Sequence, residues 1–332
     1  MTLATDAAAT QDVVLLHASH WRIEGPLAPA SSCLSEATRL LGRCAGVQAQ
    51  QVVAAAGVQP QSHVVCSTVL SGLCPQSVCS DTLLDGMQAA GIERPAALLR
   101  AYECSGWGYA LRFHALHTAT RRLLVSIVDA DLHRSSMFDP AGPWGRSGFG
   151  VTALLFELPG QPLRNLAIGR SDRRPGTWGS DTRSFANLVH AVRQRRARAD
   201  LSMIFVHFMV RHIRGALEHV VGTERISPNR FDSYGHCFGA DPWIGIIEWQ
   251  RTRCLPGPAV VTAASLSNNG YYTLCDVALT SRTQTELRCL PGDGLEQALA
   301  AIGPASPVPP TVPTAPRPRL STHPPRDHME TA

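Results

Sequence analysis

The segment AALLRAYECSGWGYALRFHALH, residues 96–117, is the most informative part of this chain. An apolar, strand-like stretch runs up to Cys104, and a turn of small residues then leads directly into a helical pattern. A thiol at the start of a helix lies near unpaired backbone N–H groups and the positive end of the helix dipole, which favour thiolate over thiol. The segment therefore predicts a nucleophilic cysteine at position 104, with a buried cysteine beside a glycine turn as the alternative.

On both sides of this segment, apolar strand candidates alternate with helical patterns. The first half predicts strands near residue 13 and at 63–70, 122–130 and 150–158, and helices at 33–56 and 76–90. The second half predicts strands at 163–171, 231–236, 259–266 and 283–294, and helices at 185–221, 243–250 and 271–279. Alternation of this kind predicts an α/β fold in which helices cover central sheets.

The composition of the 332 residues excludes several classes of protein. A net charge of +4 is too small for a strongly basic nucleic-acid binder, and no apolar run is long enough for a transmembrane helix. Ten cysteines without a Cys-x-x-Cys pair argue against zinc ribbons and thioredoxin-like sites, and the N-terminus does not resemble a signal peptide. We expect a protein of the reduced cytoplasm, with residues 1–12 flexible and the proline-rich residues 303–332 disordered.

The residues around Cys104 resemble a known family. ECSGWGYALRFH is similar to the nucleophile motif of type III ketoacyl-acyl carrier protein synthases, members of the thiolase superfamily, in which Ala-Cys-Ala/Ser-Gly-Phe precedes a helix of small residues. Residues 63–87 resemble the family's strand, Ser/Thr-rich loop and helix, and residues 122–136 resemble its Leu-Val-Val-Gly-Ala-Glu strand. In WGRSGFGVTALLFEL, Gly148 and Gly150 match a glycine turn of the family, whereas Ser147 and Phe149 depart from it.

The resemblance, which covers roughly residues 30–290, also implies two partners for Cys104. His236 follows it by 132 residues (236 − 104), close to the family's spacing, although His-Cys-Phe-Gly-Ala-Asp replaces His-Gln-Ala-Asn. Asn268 stands where the family has the asparagine of Gly-Asn-Thr-Ser-Ala, with Asn269 as the alternative. The resemblance thus implies a catalytic set of Cys104, His236 and Asn268. An incidental histidine and a turn-forming Asn-Asn-Gly remain the simpler interpretations.

The family's fold and activity give further expectations. The resemblance implies a duplicated α-β-α-β-α fold, with one half at residues 13–160 and the other at 161–302. It implies an acyl-enzyme on Cys104 that condenses, by decarboxylative Claisen chemistry, with a malonyl- or ketoacyl-carrier-type thioester in fatty-acid-type or secondary-metabolite biosynthesis, without a metal or redox cofactor. The alternatives are acyl transfer to an alcohol, amine or carrier thiol, and a non-catalytic partner subunit of a heteromeric synthase.

The same resemblance implies acyl-coenzyme A or an acyl carrier protein as partner, and a homodimer or a heterodimer with a related subunit, with no nucleic acid and no membrane. Arg193, Arg195, Arg196 and Arg198 crowd one predicted helix. Because acyl carrier proteins are acidic, this cluster could guide one to the site. A solvated helix face explains the cluster equally well.

Overall fold

The computed structural model describes residues 13–25, 27, 34–69, 80–117, 119–130, 145–159, 163, 165–171, 181–198, 200–252 and 258–303. The strands are β1 (Val13–Glu24), β2 (Ser62–Cys66), β3 (Ala97–Leu99), β4 (Arg122–Asp129), β5 (Gly150–Glu157), β6 (Leu166–Arg170), β7 (Leu201–Phe205), β8 (Ala259–Leu266) and β9 (Tyr271–Pro291). The helices are α1 (Leu34–Ala56), α2 (Ser80–Ala89), α3 (Gly106–His117), α4 (Asp181–Arg196), α5 (Arg211–Val221), α6 (Phe231–Tyr234), α7 (Asp241–Thr252) and α8 (Leu295–Ile302). None of these helices is long and apolar enough to cross a membrane. The predictions for residues 1–12 and for the tail after residue 303 lie outside the described residues.

The second half of the sheet repeats the topology of the first. The order is β3-β2-β4-β5-β1 in the first half and β7-β8-β9-β6 in the second, and pairing between β1 and β9 joins the two. From β2 to β1 the successive neighbours are parallel, antiparallel and antiparallel, and the same sequence runs from β7 to β6. Equivalent helices follow: α1 and α4 each precede the first parallel strand, and α3 and α7 each precede the second. This duplication confirms the predicted fold class, whereas the division of the chain at residue 160 stays a prediction.

Three apolar clusters show how the layers stack. One packs α1, α2 and α8 on the outer face of the first half, and another packs α4 and α5 on the outer face of the second half. The third places α3 and α7 between strands of both halves, with the fully buried rings of Trp107 and Trp243 in edge-to-face contact at 4.9 Å. The layers are therefore helix, sheet, helix, sheet, helix, and the starts of α3 and α7 lie in the middle of the molecule.

Three segments of the second half differ from the sequence prediction. Residues 201–205, predicted as part of a helical region, form β7. Residues 231–234, predicted as a strand, form the single helical turn α6. Residues 271–279, predicted as a helix, form the first part of β9, a strand of 21 residues. Short apolar runs do not separate helix from strand by periodicity, and pairing with distant strands decides the outcome.

Candidate active site

Cys104 lies in a 3-10 turn, Glu103–Ser105, that leads into α3. Glu103 adopts a left-handed backbone conformation with φ of 46°, which is uncommon outside glycine and typical of functional turns. The Cys104 side chain is buried, and the Thr68 hydroxyl donates a hydrogen bond to its Sγ at 3.6 Å. Burial raises the pKa of the Cys104 thiol well above its ordinary value, although the hydrogen bond from Thr68 opposes this. Burial therefore opposes the thiolate that the helix start was expected to favour, and the thiolate stays a prediction.

An equivalent turn, Phe238–Ala240, leads into α7. Phe238 also has a left-handed backbone, with φ of 55°, and its ring packs against Cys104 and Val69. A Cβ atom on Gly239 would lie 2.9 Å from the carbonyl oxygen of Cys104, so only glycine fits between the two turns without displacing backbone. The duplication of the fold thus extends to the site, where two similar turns meet at the thiol.

His236 is held against the glycine turn that the sequence comparison singled out. Its backbone N–H donates to the carbonyl oxygen of Arg146 at 2.9 Å, and its carbonyl accepts from the N–H of Gly148 at 2.8 Å. The imidazole is buried and lies 5.3 Å from the ring of Phe238, measured between centroids. The structure therefore brings His236 into the cluster that surrounds Cys104, through Phe238.

A second histidine, His207, joins this cluster and was not found by the sequence analysis. It follows β7, and its ring centroid lies 5.1 Å from that of His236. Nε2 of His207 lies 2.8 Å from the backbone nitrogen of Leu266, which donates to it. Burial lowers the pKa of His207, and a hydrogen bond to Asp241 opposes that effect. The signal that would have revealed it is the apolar run LSMIFV directly before the histidine, which reads as a strand once its pairing with β8 is known.

Asp241, the first residue of α7, connects the two histidines. Its fully buried Oδ2 lies 3.0 Å from Nδ1 of His207 and 2.7 Å from Nδ1 of His236. Backbone N–H groups of Phe208 and Cys237 donate to Oδ2 and Oδ1 at 3.1 Å and 2.7 Å. Burial works against ionisation, yet the nearby imidazoles and these hydrogen bonds hold the pKa of Asp241 below its ordinary value. The group is therefore a carboxylate that fixes both rings.

This bridge also assigns the tautomers of the two imidazoles. Because a carboxylate oxygen only accepts hydrogen bonds, both rings place their proton on Nδ1 when neutral. Nε2 of His207 then accepts from the N–H of Leu266, and Nε2 of His236 is the basic atom of the other ring. One ring nitrogen of each histidine and a carboxylate oxygen of Asp241 lie within 4.8 Å of one another, a spacing at which a metal ion could bind. The hydrogen bonds just described account for the same spacing without one.

The asparagine pair lies on the turn between β8 and β9. Asn268, the residue predicted to be catalytic, has an exposed side chain, and the structure does not bring it into the cluster. Asn269 docks the turn against the nucleophile segment: its side-chain amide donates to the carbonyl oxygen of Ala101 at 2.7 Å, and its backbone N–H donates to Glu103 at 3.3 Å.

Asp129, at the end of β4, is a second buried carboxylate near the thiol, and the sequence analysis did not single it out. Its Oδ1 accepts hydrogen bonds from the Ser67 hydroxyl at 3.0 Å and from the backbone N–H groups of Thr68 and Val69, both at 2.8 Å. Burial raises the pKa of Asp129 to about 6, although these hydrogen bonds oppose the shift. Asp129 thus fixes the turn from which Thr68 reaches Cys104.

The arginine cluster of α4 is engaged inside the chain rather than presented as a docking face. Arg195 and Arg198 both pair with the fully buried carboxylate of Asp276, the former at 2.6 Å. Arg196 pairs with Glu224 at 2.9 Å. Of the four arginines, Arg193 is exposed without such a partner among the described residues. This arrangement favours a structural role over the guidance of an acidic carrier.

Comparison with known proteins identifies the fold. No family model and no curated protein sequence matches the chain significantly. Among solved structures, the priming β-ketosynthase of the R1128 polyketide biosynthetic pathway is similar with a TM-score of 0.59 and 14% identity, over 84% of this chain and 99% of that one. The 3-oxoacyl-(acyl carrier protein) synthase III of Pseudomonas aeruginosa PAO1 is similar with a TM-score of 0.56 and 14% identity, over 81% and 98%. ChlB3, named as an acyltransferase, is similar with a TM-score of 0.59 and 13% identity, over 82% and 99%. The chain therefore has the thiolase-like fold of ketoacyl synthase III structures.

Proposed function

We propose that this chain is an acyltransferase that takes an acyl group from a coenzyme A or carrier-protein thioester onto the sulfur of Cys104. The observation that carries the proposal is the convergence of two equivalent turns, one bearing the thiol and the other followed by Asp241 with its two bound imidazoles. A nucleophile, a base and a group that orients the base are the parts that covalent acyl transfer needs. Solved structures with this fold include a 3-oxoacyl synthase and an acyltransferase, which supports a thioester substrate.

The loading step follows from the raised pKa of the thiol. Because burial disfavours the thiolate, Cys104 needs a base at the moment of attack, and the imidazole of His236 takes its proton. The sulfur then bonds to the thioester carbonyl carbon, and the bond from that carbon to the donor sulfur breaks. The departing thiolate takes the proton from the imidazolium, so that acyl-Cys104 and a free donor thiol are the products.

The Asp241 bridge supports transfer to a nucleophile in the second half-reaction. With its proton on Nδ1, the imidazole of His236 offers a basic Nε2 atom, which removes a proton from an incoming O–H, N–H or S–H group. The nucleophile attacks the acyl carbon, the bond to the Cys104 sulfur breaks, and the imidazolium returns its proton to that sulfur. This order restores the starting thiol and needs no metal or redox cofactor.

Decarboxylative condensation is the second candidate. It would use His236 as a hydrogen-bond donor to the thioester oxygen of a malonyl-type substrate, and so would require a proton on Nε2 of that ring. The observation in its favour is the similarity of the fold to that of a priming β-ketosynthase. Fatty-acid-type or polyketide biosynthesis would be the setting of that reaction.

Incubation with a panel of acyl-coenzyme A and acyl-carrier thioesters is expected to add one acyl group to the wild-type chain. Intact-mass analysis measures the addition, which should be lost in Cys104→Ala because that variant lacks the proposed nucleophile. Cys289→Ala is the matched control, since it removes an exposed thiol that could be acylated without catalysis. The control should acylate like the wild type.

Two results would count against the proposal. Equal acylation of wild type and Cys104→Ala across the panel would show that Cys104 does not carry the acyl group, and would favour a non-catalytic partner subunit. Release of carbon dioxide from a malonyl thioester by the acylated wild type, with formation of a ketoacyl product, would instead establish condensation as the second half-reaction.

We also propose that the chain forms a homodimer through the edge at β3. This strand ends the sheet order, and a hollow beside it is lined by β3 and by Phe113 and Leu116 of α3, which are 56% and 49% exposed. A second copy that pairs at this edge would cover both side chains.

Light scattering after size-exclusion chromatography is expected to show a wild-type dimer and a monomer for the variant with Phe113→Glu and Leu116→Glu. Charges at these positions would be buried in the interface without partners. Val220→Glu is the control, because Val220 is similarly exposed but lies on α5. A wild-type monomer, or an equal effect of Val220→Glu, would contradict the proposed edge.

A further inference from the structure

The proposed catalytic cluster contains two buried carboxylates, Asp241 and Asp129. Among the residues that the structure describes, only Asp241 has hydrogen-bond partners on both oxygens. Asp241 receives hydrogen bonds from two imidazoles and two backbone N–H groups. All three hydrogen bonds to Asp129 go to Oδ1, and its buried Oδ2 has no partner among the residues that the structure describes. No arginine, lysine or histidine forms an ion pair with Asp129 within those residues. An unpaired carboxylate oxygen of this kind is costly and calls for a functional explanation.

Asp129 lies at the edge of the reacting groups. Its carboxylate acts electrostatically on the thiols of Cys104 and Cys237, and His236 acts on the carboxylate in return. Only Thr68 separates it from the nucleophile: the Thr68 backbone N–H donates to Oδ1 at 2.8 Å, and its hydroxyl donates to Cys104 Sγ at 3.6 Å. A single residue therefore links the Asp129 carboxylate to the sulfur of Cys104.

The charge of this centre selects among the possible acceptors. The two buried carboxylates, Asp129 and Asp241, both act on the Cys104 thiol and oppose negative charge on its sulfur. An alcohol could donate a hydrogen bond to the Asp129 oxygen but would leave its charge unneutralised, and a thiol is only a weak donor. A cation with N–H groups would both neutralise it and supply the missing hydrogen bond.

We propose that the acyl acceptor is a primary amine that enters as the ammonium ion, and that Asp129 Oδ2 binds this ammonium. The inference rests on the acyl-enzyme of the proposed function. The ammonium gives one proton to the imidazole of His236, and the resulting amine attacks the acyl carbon. A C–N bond forms and the C–S bond to Cys104 breaks; the imidazolium returns its proton to the sulfur. The nitrogen bonded to the acyl carbon then still carries one proton more than an amide does. Asp129 accepts that proton and passes it to solvent.

The test starts from acyl-Cys104 prepared with an acyl-coenzyme A and freed of excess donor by gel filtration. Three acceptors with the same carbon chain, n-butylamine, n-butanol and n-butanethiol, are then added, and loss of the acyl group is followed by intact mass. We expect discharge by the amine to exceed discharge by the alcohol and the thiol by about tenfold or more, as one charged hydrogen bond allows. The rate with a small acyl thioester in solution gives the uncatalysed aminolysis to be subtracted.

Asp129→Asn removes the charge while an amide oxygen can still accept the hydrogen bonds of the turn. We expect the KM for n-butylamine to rise about tenfold or more in this variant, with little change for n-butanol. Asp85→Asn is the matched control, because Asp85 is an exposed carboxylate paired with Arg94. In the wild type, butyltrimethylammonium, which cannot react, should inhibit discharge by the amine competitively, whereas n-butanol at the same concentration should not. That measurement needs no variant to fold.

The outcomes separate the two proposals. An unchanged KM for the amine in Asp129→Asn, or discharge by alcohol or thiol as fast as by amine, would overturn the acceptor assignment and leave the acyl-enzyme standing. Failure of butyltrimethylammonium to inhibit would also overturn it. Absence of any acyl adduct on wild-type Cys104 would overturn the proposed function itself, and the acceptor assignment with it.

Discussion

Replacing Asp241 with asparagine is expected to slow discharge of the acyl group from Cys104 by about 10²- to 10⁴-fold, the range for loss of a correctly oriented acid–base group. In the native chain a single oxygen, Oδ2, accepts from Nδ1 of both His207 and His236. Asparagine offers one oxygen and one N–H₂ group, so at least one imidazole or backbone N–H would face a donor instead of an acceptor. One ring must then change its tautomer or turn away.

The measurement is the single-turnover rate of acyl-Cys104 discharge as a function of pH, for folded Asp241→Asn and wild type. A variant that only loosened the fold would keep the shape of the pH profile, whereas a changed tautomer alters the pH at which the base becomes active. Asp200→Asn is the control, because Asp200 is an exposed carboxylate paired with Arg198. A folded Asp241→Asn protein with the wild-type rate and profile would refute the assigned role of this residue.

Replacing Asp276 with alanine is expected to lower the free energy of unfolding by about 3–5 kcal/mol, the usual cost of breaking a buried ion pair on one side. The Asp276 side chain is fully buried and receives hydrogen bonds from Thr262 at 2.7 Å and from Arg195 and Arg198. Those arginine side chains are only 16% and 29% exposed, so without the carboxylate they would remain as poorly hydrated cations.

Urea unfolding under reducing conditions measures this loss, with Glu224→Gln as the control. Glu224 also pairs with an arginine of α4, Arg196, but its side chain is 83% exposed, and such surface pairs contribute roughly 0–1 kcal/mol. If the two variants lose similar stability, the arginines of α4 are not held by Asp276 and their role as a docking face regains support.

The strands and helices that sequence predicts well are those with a strong local signal. The Ala/Leu-rich α1, the apolar strands β4, β5 and β8, and the strand–turn–helix around Cys104 fall where they were expected. These segments bury one face or both over several residues, so composition and spacing are sufficient to identify them. The two-half architecture followed from the resemblance of those same segments to a known family.

The rest of the site depends on contacts between distant segments. His207 was missed because β7 is only five residues long and sits between two helices, so its pattern merged with theirs. Its importance comes from Asp241, which lies 34 residues further along the chain. Asn268 was chosen on local motif similarity, but the pairing of β8 with β9 turns that residue outward. The prediction of a thiolate likewise considered a local helix dipole without the burial that tertiary packing imposes.

The repeated turn before α3 and α7 has a consequence for how such a protein can change over time. The proposed nucleophile belongs to one repeat, whereas the two imidazoles and the carboxylate that holds them belong to the other. Under the proposed mechanism His236 acts in both loading and discharge, so neither repeat could complete either half-reaction alone. Substitutions in one repeat would therefore have to preserve its fit to the other, which ties the divergence of the two halves together.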